Sequence, residues 1–350
     1  MLEPRLSVII PTLNEAHALP GLLTQLAGQR QVDMEVIVAD GGSQDATRTV
    51  AEAGGARCVA APQGRGAQLQ AGAAVAQGKE LLFLHADSSL TDPEQLATAL
   101  EALEQARQRL GHDRVAGHFA LHFHDAKGAL ARRLGFHAAK SALNREGCTH
   151  GDQGWMMSQR FYQRLGGFNA NLAFMEDQEL AGRIRRSGVW ITLPGVLATS
   201  ARRFQQEGYF RRTLLNALIM TCYHTGWDTF FQRAPELYRQ QDRTRPLQLA
   251  PFFRLLGQLN REAGLRVTWQ RWQAVGRYAR QAMWQPFFLL DLILPPQWRR
   301  TPHPCLDFYD RVWARWTQRW PFDGVAMVIV WLACRLFWGW YAVKAYVEKK

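Results

Sequence analysis

Residues 6–10, Leu-Ser-Val-Ile-Ile, form a short apolar run that Pro11 closes, and the polar loop Thr-Leu-Asn-Glu (12–15) follows at once. A run this short, bounded by proline, predicts a buried strand. The pattern then repeats along the chain. Ala16–Ala27 has helical spacing, Glu35–Ala39 is a second apolar run followed by Asp-Gly-Gly-Ser (40–43), and Asp45–Ala53 is helical again. Arg57–Ala60 reads as a third strand, Ala67–Ala76 as a helix rich in small residues, and Leu81–His85 as a fourth strand running into Ala-Asp-Ser. Strand, loop and helix in alternation predict an α/β fold, a mostly parallel sheet with helices on both faces.

In such sheets ligands bind beyond the carboxyl ends of the strands. The polar clusters fall at those ends: 12–15, 40–45, 64–68 and 85–87. One such cluster is equally well explained by turn chemistry. Four at successive strand ends point to a binding site.

The chain has 350 residues and a net charge of +12, and the charge is uneven. Residues 1–230 hold 23 basic against 22 acidic side chains, whereas 231–350 hold 19 against 8 together with ten of the 13 Trp. This divides the chain into two regions, 1–230 and a helical, basic, aromatic-rich 231–350, which points to two different tasks. The five cysteines are scattered and lack CxxC spacing, which argues against a disulfide framework or a zinc site. The N-terminus has no basic stretch or cleavage site of a signal peptide, so a reducing cytoplasm is expected.

Four motifs in order, Ser-Val-Ile-Ile-Pro-Thr-Leu-Asn-Glu (7–15), Val-Ala-Asp-Gly-Gly-Ser-Gln-Asp-Ala-Thr (38–47), Phe-Leu-His-Ala-Asp (83–87) and Phe-Met-Glu-Asp-Gln-Glu-Leu (174–180), resemble the family 2 glycosyltransferases. The more specific resemblance is to the subgroup called radical-SAM/selenodomain-associated transferase 2, linked by name to arsenosugar biosynthesis. It covers roughly residues 5–230 and implies a GT-A-type fold, a nucleotide-sugar donor and inverting transfer to a small-molecule or lipid acceptor.

The resemblance places Pro11, Thr12 and Glu15 in the nucleotide-binding first loop. Asp40 matches the acceptor for the base N–H, with Gly41 where the family's second Asp is usual, and the donor is expected to be a UDP-sugar. Arg65, between Gly64 and Gly66, matches a position near base and diphosphate; a solvated loop charge is the plainer reading. The usual Asp-x-Asp appears as His85-Ala86-Asp87, so Asp87, with His85 as a second ligand, would hold Mn²⁺ or Mg²⁺ against the leaving diphosphate. A His of the first position suits Mn²⁺ better, and a His capping the sheet edge is the alternative. Asp177 matches the general base that an attacking hydroxyl requires, and Glu176 would contact the donor or orient the loop. Both also fit the acidic first turn of a helix reading through Arg186. Asp152, in Gly-Asp-Gln-Gly (151–154), would meet sugar hydroxyls or merely shape a turn. Arg202 and Arg203 would clamp the diphosphate, or form a basic surface patch. His118, His122 and His124 fall on one face of a strand, either as a polar wall or as a metal cluster.

Beyond 230, Arg311, Arg315 and Arg319 repeat every four residues with Trp313, Trp316 and Trp320 on another face, which suits an anionic membrane interface. Gly324–Val343 is long and apolar enough to span, but Arg335 inside it is costly there. Trp284–Trp298 is a further candidate for lipid contact. These features predict attachment to the cytoplasmic face of the inner membrane, with a soluble helical bundle as the other reading. No nucleic-acid module is recognised. Two other functions compete: a nucleotidyltransferase, which would carry a glycine-rich basic loop after the first strand where Pro-Thr-Leu-Asn-Glu stands, and a binding protein that keeps the fold without catalysis.

Overall fold

The computed structural model describes residues 4–241, 246–299, 301–318 and 320–347, with the backbone alone at 239–241, 296, 320 and 342–347. The chain forms two compact units, 1–201 and 202–350. The region 1–230 of the sequence reading therefore spans the first unit and the opening helices of the second.

The first unit is an eight-stranded mixed sheet between helices. Its strands are β1 (Leu6–Thr12), β2 (Met34–Asp40), β3 (Arg57–Ala60), β4 (Glu80–Phe83), β5 (Ser89–Leu90), β6 (Val115–Phe123), β7 (Trp155–Ser158) and β8 (Val189–Thr199). Their order is β3-β2-β1-β4-β7-β6-β8-β5. β1, β2, β3 and β4 are mutually parallel, as are β6 and β8. β7 inserts antiparallel between β4 and β6, and β5 pairs antiparallel with β8. The expected α/β class is met. The antiparallel insertion was not legible, because Trp155–Ser158 is a four-residue run with no alternation of its own.

Seven helices cover the sheet: α1 (Leu19–Ala27), α2 (Thr47–Ala53), α3 (Arg65–Ala74), α4 (Gln95–Leu110), α5 (Gly128–Ser141), α6 (Gln159–Leu165) and α7 (Glu176–Ser187). Alternate residues of β1 feed opposite cores. Leu6, Val8 and Ile10 pack with α1 and α4, whereas Ile9 packs with α3, α6 and α7. Burial on both faces is the reason the first strand reads as an unbroken apolar run. Pro11 stays within β1 because its β4 neighbour has already ended, Phe83 pairing with Ile9, so no ladder partner is lost on that side.

The first helix begins at Leu19 rather than Ala16, where Pro20 suits its first turn, and β4 stops at Phe83 rather than His85. β6 also departs from strict alternation. A register shift between His118 and Ala120 buries both His118 and Phe119, while His122 is exposed. The three histidines therefore do not form one face. His118 is a core residue whose Nε2 lies 2.7 Å from Asn144 Oδ1. Burial pushes its imidazole below the ordinary pKa.

The second unit is helical: α8 (Arg202–Glu207), α9 (Tyr209–His224), α10 (Asp228–Gln241), α11 (Ala250–Gln281), α12 (Trp284–Ile293), α13 (Pro304–Phe308), α14 (Ala314–Thr317) and α15 (Trp320–Val347). α11 kinks at Gly264, and Gly276 lets α15 approach so closely that a Cβ there would lie 2.3 Å from Asp323 O. Arg280 Nε donates to Asp323 Oδ1 at the same crossing, at 2.5 Å. The segment 311–320 is not one regular helix. A π-helical turn, Tyr309–Trp313, precedes α14, and Gln318 is non-helical, so the four-residue Arg repeat does not map onto a single stripe. Arg319 and the side chain of Trp320 lie outside the described residues.

The entry to β4 is a tight knot. Gly78 N donates to Ser7 Oγ, which donates to Glu35 Oε1, and a Cβ at Gly78 would stand 2.5 Å from Ser7 N. Backbone atoms cannot yield as a side-chain tip can. Gly78→Ala should therefore lower stability by about 1–3 kcal/mol, read as a shifted urea midpoint at unchanged slope.

Candidate active site

The strand order reverses between β1 and β4, so their carboxyl ends open a crevice. The loop after β1 is stitched to the loop after β2. Asn14, at a φ of +55°, receives Gln44 N at its Oδ1 (2.8 Å), and its own N–H donates to Ser43 Oγ (2.9 Å). Glu15 N donates to Thr47 Oγ1 at 2.9 Å. Asp40, buried at the end of β2, accepts from Gly42 N (3.2 Å), Ser43 N (3.1 Å), Ser43 Oγ and Thr12 Oγ1 (3.4 Å). Its carboxylate thus organises its own loop.

The buried side chain of Gln68 on α3 donates to Thr12 O (2.7 Å) and Ala39 O (3.0 Å), closing the ends of β1 and β2. A Cβ at Gly41 would sit 2.9 Å from Gln68 Nε2. This accounts for glycine where a second Asp is usual: the space belongs to the Gln68 amide. Sequence reading missed Gln68, which looks like one polar residue among several in a glycine-rich loop.

One turn before Gln68, at the start of α3, stands Arg65. Its Nη1 is 3.3 Å from Glu176 Oε1, with the guanidinium 40% exposed and the carboxylate 4%. Burial lowers the Arg65 pKa, but the fields of Glu176, Asp177, Asp152 and Asp87 outweigh it, and the net shift is upward. Those four carboxylates come from three separate places: the end of β4, the 3₁₀ turn Gly151–Gln153, and the first turn of α7. The fold brings them around one cation.

Asp177 accepts from Gly151 N (3.0 Å), Gln178 N (2.7 Å) and Gln178 Nε2 (3.3 Å). Oδ1 takes one of these bonds and keeps a free lone pair. Met175, immediately before the acidic turn, holds a left-handed φ of +68°. A non-glycine residue there is strained, and such strain gathers at functional turns. Glu176 is pushed upward by burial, against Arg65. Asp152 is pushed up to about 6, first by burial and then by Asp177 and Asp87, against Arg65. Its buried Oδ1 has no hydrogen-bond partner among the described residues.

This spot is short of positive charge, which is the condition a divalent cation would relieve. Among the described residues no three His, Cys, Asp or Glu side chains are grouped tightly enough to hold an ion unaided. The donor set fits a cation bound by one or two protein ligands with the remaining oxygens brought by a diphosphate. Half-buried Asp87 and His85 follow β4 at the crevice. Arg202 and Arg203 are exposed on α8, in the second unit. The cavity beside Glu80, Arg107, Asp113 and Gln159 lies at the amino end of β4 and includes none of these residues.

Residues 7–165 match the model of glycosyl transferase family 2. A PGL/p-HBAD biosynthesis glycosyltransferase of Mycobacterium bovis is 39% identical over 104 residues, 28% of this chain and 41% of that protein. A dolichyl-phosphate beta-glucosyltransferase of Drosophila melanogaster is 36% identical over 117 residues, 28% of this chain and 36% of its own. The chain thus spans about two fifths of the length of these curated relatives. Among solved structures, a mannosyltransferase from Pyrobaculum calidifontis in complex with GDP-Man and Mn²⁺ is 18% identical, with a TM-score of 0.45, covering 100% of this chain and 89% of that one. Glucosyl-3-phosphoglycerate synthase from Mycobacterium tuberculosis, in complex with Mn²⁺, UDP and glucosyl-3-phosphoglycerate, is 21% identical, with a TM-score of 0.41, covering 57% of this chain and 73% of that one.

A carboxyl whose folded pKa is raised contributes stability at acid pH that disappears as pH rises through the folded value. For Asp152 that loss falls between the unfolded value near 3.8 and about 6. In chelator-treated protein, Asp152→Asn should therefore be more stable than the wild type above pH 6, by on the order of 2–3 kcal/mol, with the advantage vanishing near pH 4. Parallel stability curves for the two proteins across this range would refute the buried, charge-starved assignment.

Proposed function

We propose that the chain is an inverting glycosyltransferase that moves a sugar from a nucleotide-sugar donor, a UDP-sugar, to a hydroxyl of a small-molecule or lipid acceptor. The observation that carries this reading is the convergence of Asp87, Asp152, Glu176 and Asp177 on Arg65 at the carboxyl end of the sheet. The acceptor oxygen attacks the anomeric carbon from the face opposite the diphosphate. Its proton passes to Asp177 Oδ1 as the new C–O bond forms, and the bond to the diphosphate breaks, so the configuration inverts. Gly151 N–H and the Gln178 backbone and amide N–H groups hold the base in one orientation.

Asp40, Thr12, Pro11 and Glu15 would line the base and ribose end of the donor. Arg65 and Glu176 would face the diphosphate and sugar, with Asp152 at a sugar hydroxyl. Asp87 and His85 would hold Mn²⁺ or Mg²⁺, whose charge offsets that developing on the leaving diphosphate. The likeness to the radical-SAM/selenodomain-associated transferase 2 subgroup rests on the motifs at 7–15, 38–47, 83–87 and 174–180 and belongs to the same proposal.

Calorimetry with UDP-, GDP- and dTDP-sugars, with and without Mn²⁺, tests the donor. One donor should bind in a metal-dependent way, and Asp87→Ala should lose that dependence. Asp177→Asn should keep donor binding while turnover falls by roughly 10²–10⁴-fold. Undiminished turnover in that variant would remove Asp177 from the mechanism, and well-folded protein that binds no donor would favour the non-catalytic reading.

The region 231–350 supports attachment to a membrane surface on the cytoplasmic side. One helix among the described residues, Pro321–Tyr341, is long and apolar enough to cross a bilayer, and only 6% of its apolar window is buried. Val325, Ile329, Leu332, Leu336 and Trp340 on α15 are exposed, as are Leu290, Ile293 and Trp298 on and after α12. The guanidinium of Arg335 lies 5.1 Å from the Trp331 ring and 5.6 Å from that of Trp338, a cation–π setting that lowers the cost of a charge amid apolar residues. The full chain should float with anionic phospholipid vesicles, less at high salt, and not with neutral ones. Replacing Leu290, Ile293 and Trp298 by polar residues should weaken this, and no flotation with either vesicle would exclude the attachment.

A further inference from the structure

We infer that His137, Lys140 and His150 form an oxyanion-binding subsite beside Asp177 that takes a phosphate group carried by the acceptor. The inference rests on the transferase reading above and gives its acceptor a chemical class. It starts from Gln153, a fully buried side chain on the 3₁₀ turn. Its Nε2 donates to Ser141 O (2.7 Å), the last carbonyl of α5, and its Oε1 accepts from His150 N (2.5 Å). One amide thus fastens the end of α5 to the residue that opens the turn. Ser141 Oγ accepts from Leu121 N at 2.7 Å, which fixes the same helix end to β6. The carboxyl end of α5, which carries Lys140, is thereby tied to the turn that carries His150, and the two side chains lie close enough for the Lys140 charge to act on the His150 imidazole; His137, three residues earlier, lies on the same face of α5.

The other side of the cluster is the base. His150 Nδ1 is 3.2 Å from Gln178 Nε2, and that same nitrogen is 3.3 Å from Asp177 Oδ2. The imidazole and the carboxylate share one amide. Any group seated on His150 and Lys140 is therefore a near neighbour of the hydroxyl that Asp177 would deprotonate.

The Lys140 ammonium has no ion-pair or hydrogen-bond partner among the described residues, although it is half-buried. Burial lowers its pKa, and the opposing influence of Cys148 and Asp152 does not restore it. His137 and His150 are each pushed down to about 4, by burial first and then by Lys140. The crevice is thus bipolar. The carboxylates gather around Arg65 on one side, and Lys140 with His137 and His150 gives the other side its positive character. A lysine with three free donors next to two neutral imidazoles matches the several acceptor oxygens of a phosphate monoester. A sugar phosphate and a lipid phosphate share this chemistry, and so does the donor's own diphosphate.

Inorganic phosphate and glycerol phosphate are the probes, titrated by calorimetry into the full chain, free and saturated with the nucleoside diphosphate of the best donor. Both probes should bind the nucleotide-loaded protein. Lys140→Met should weaken them by about tenfold or more, and Lys140→Arg should retain most of the affinity. Nucleotide affinity and thermal midpoint report that the Met variant is folded and leave the donor site as an internal reference. Competition between phosphate and the nucleotide would reassign Lys140 to the donor diphosphate and overturn the inference. Equal phosphate affinity in the Met variant and the wild type, or no binding at tens of millimolar, would overturn it as well. A transferase that fails on donors yet binds phosphate through Lys140 would separate the loss of the parent reading from the loss of this one.

Discussion

Four carboxylates arranged around one partly exposed guanidinium dominate the first unit. Like charges in a low-dielectric crevice repel, and burial penalises Asp152 and Glu176 further. Arg65 can answer only part of this, as the upward shifts of Asp152 and Glu176 record. The fold holds the cluster together with elements far apart in sequence: α3 at one side, α7 at the other, and the 3₁₀ turn at Gly151 between them. Each is tied by its own bonds, Gln68 to the strand ends and Gly151 N to Asp177. An arrangement that is uncomfortable when empty is one that a cation and a polar substrate would complete.

Much of this was legible in the chain. β1, the carboxyl half of β2 and most of β4 announce themselves as short apolar runs because they are buried on both faces, whereas β3, at the sheet edge, is only partly covered. The polar clusters at their ends mark the crevice because a parallel sheet collects those ends on one edge. What escaped is non-local or broken in period. β7 is too short to show a pattern, and the register shift in β6 makes His118 a core residue despite a spacing that groups it with His122. Lys140 and His137 belong to no motif that singles them out. Gln153, reaching from the 3₁₀ turn to Ser141, and Ser141 Oγ on Leu121 N tie their helix to the site. Gln68 was overlooked for the same reason, since its two carbonyl partners lie 56 and 29 residues away.

The second unit shows a different limit of pattern reading. The Arg and Trp repeat of 311–320 suggests one amphipathic helix, but the π-helical turn shifts its phase. Asp291, in the middle of an apolar run, is fully buried and accepts from Cys305 N (2.7 Å) and Leu306 N (2.8 Å), so it caps α13. The apolar character of this stretch therefore serves two ends. Trp284 and Phe288 build the unit's interior, and Leu289, Leu290 and Ile293 face outward.

The close fit between Gly41 and Gln68 also bears on descent. An aspartate at 41 would bring its Cβ within 2.9 Å of Gln68 Nε2, so the amide would have to swing aside from its carbonyl partners. Nor does shortening Gln68 first come freely, for that unties Thr12 O and Ala39 O. The two positions are thereby coupled, since a side chain at 41 and the Gln68 bridge compete for the same space. Among chains of this architecture, the residue at one position should then forecast the residue at the other.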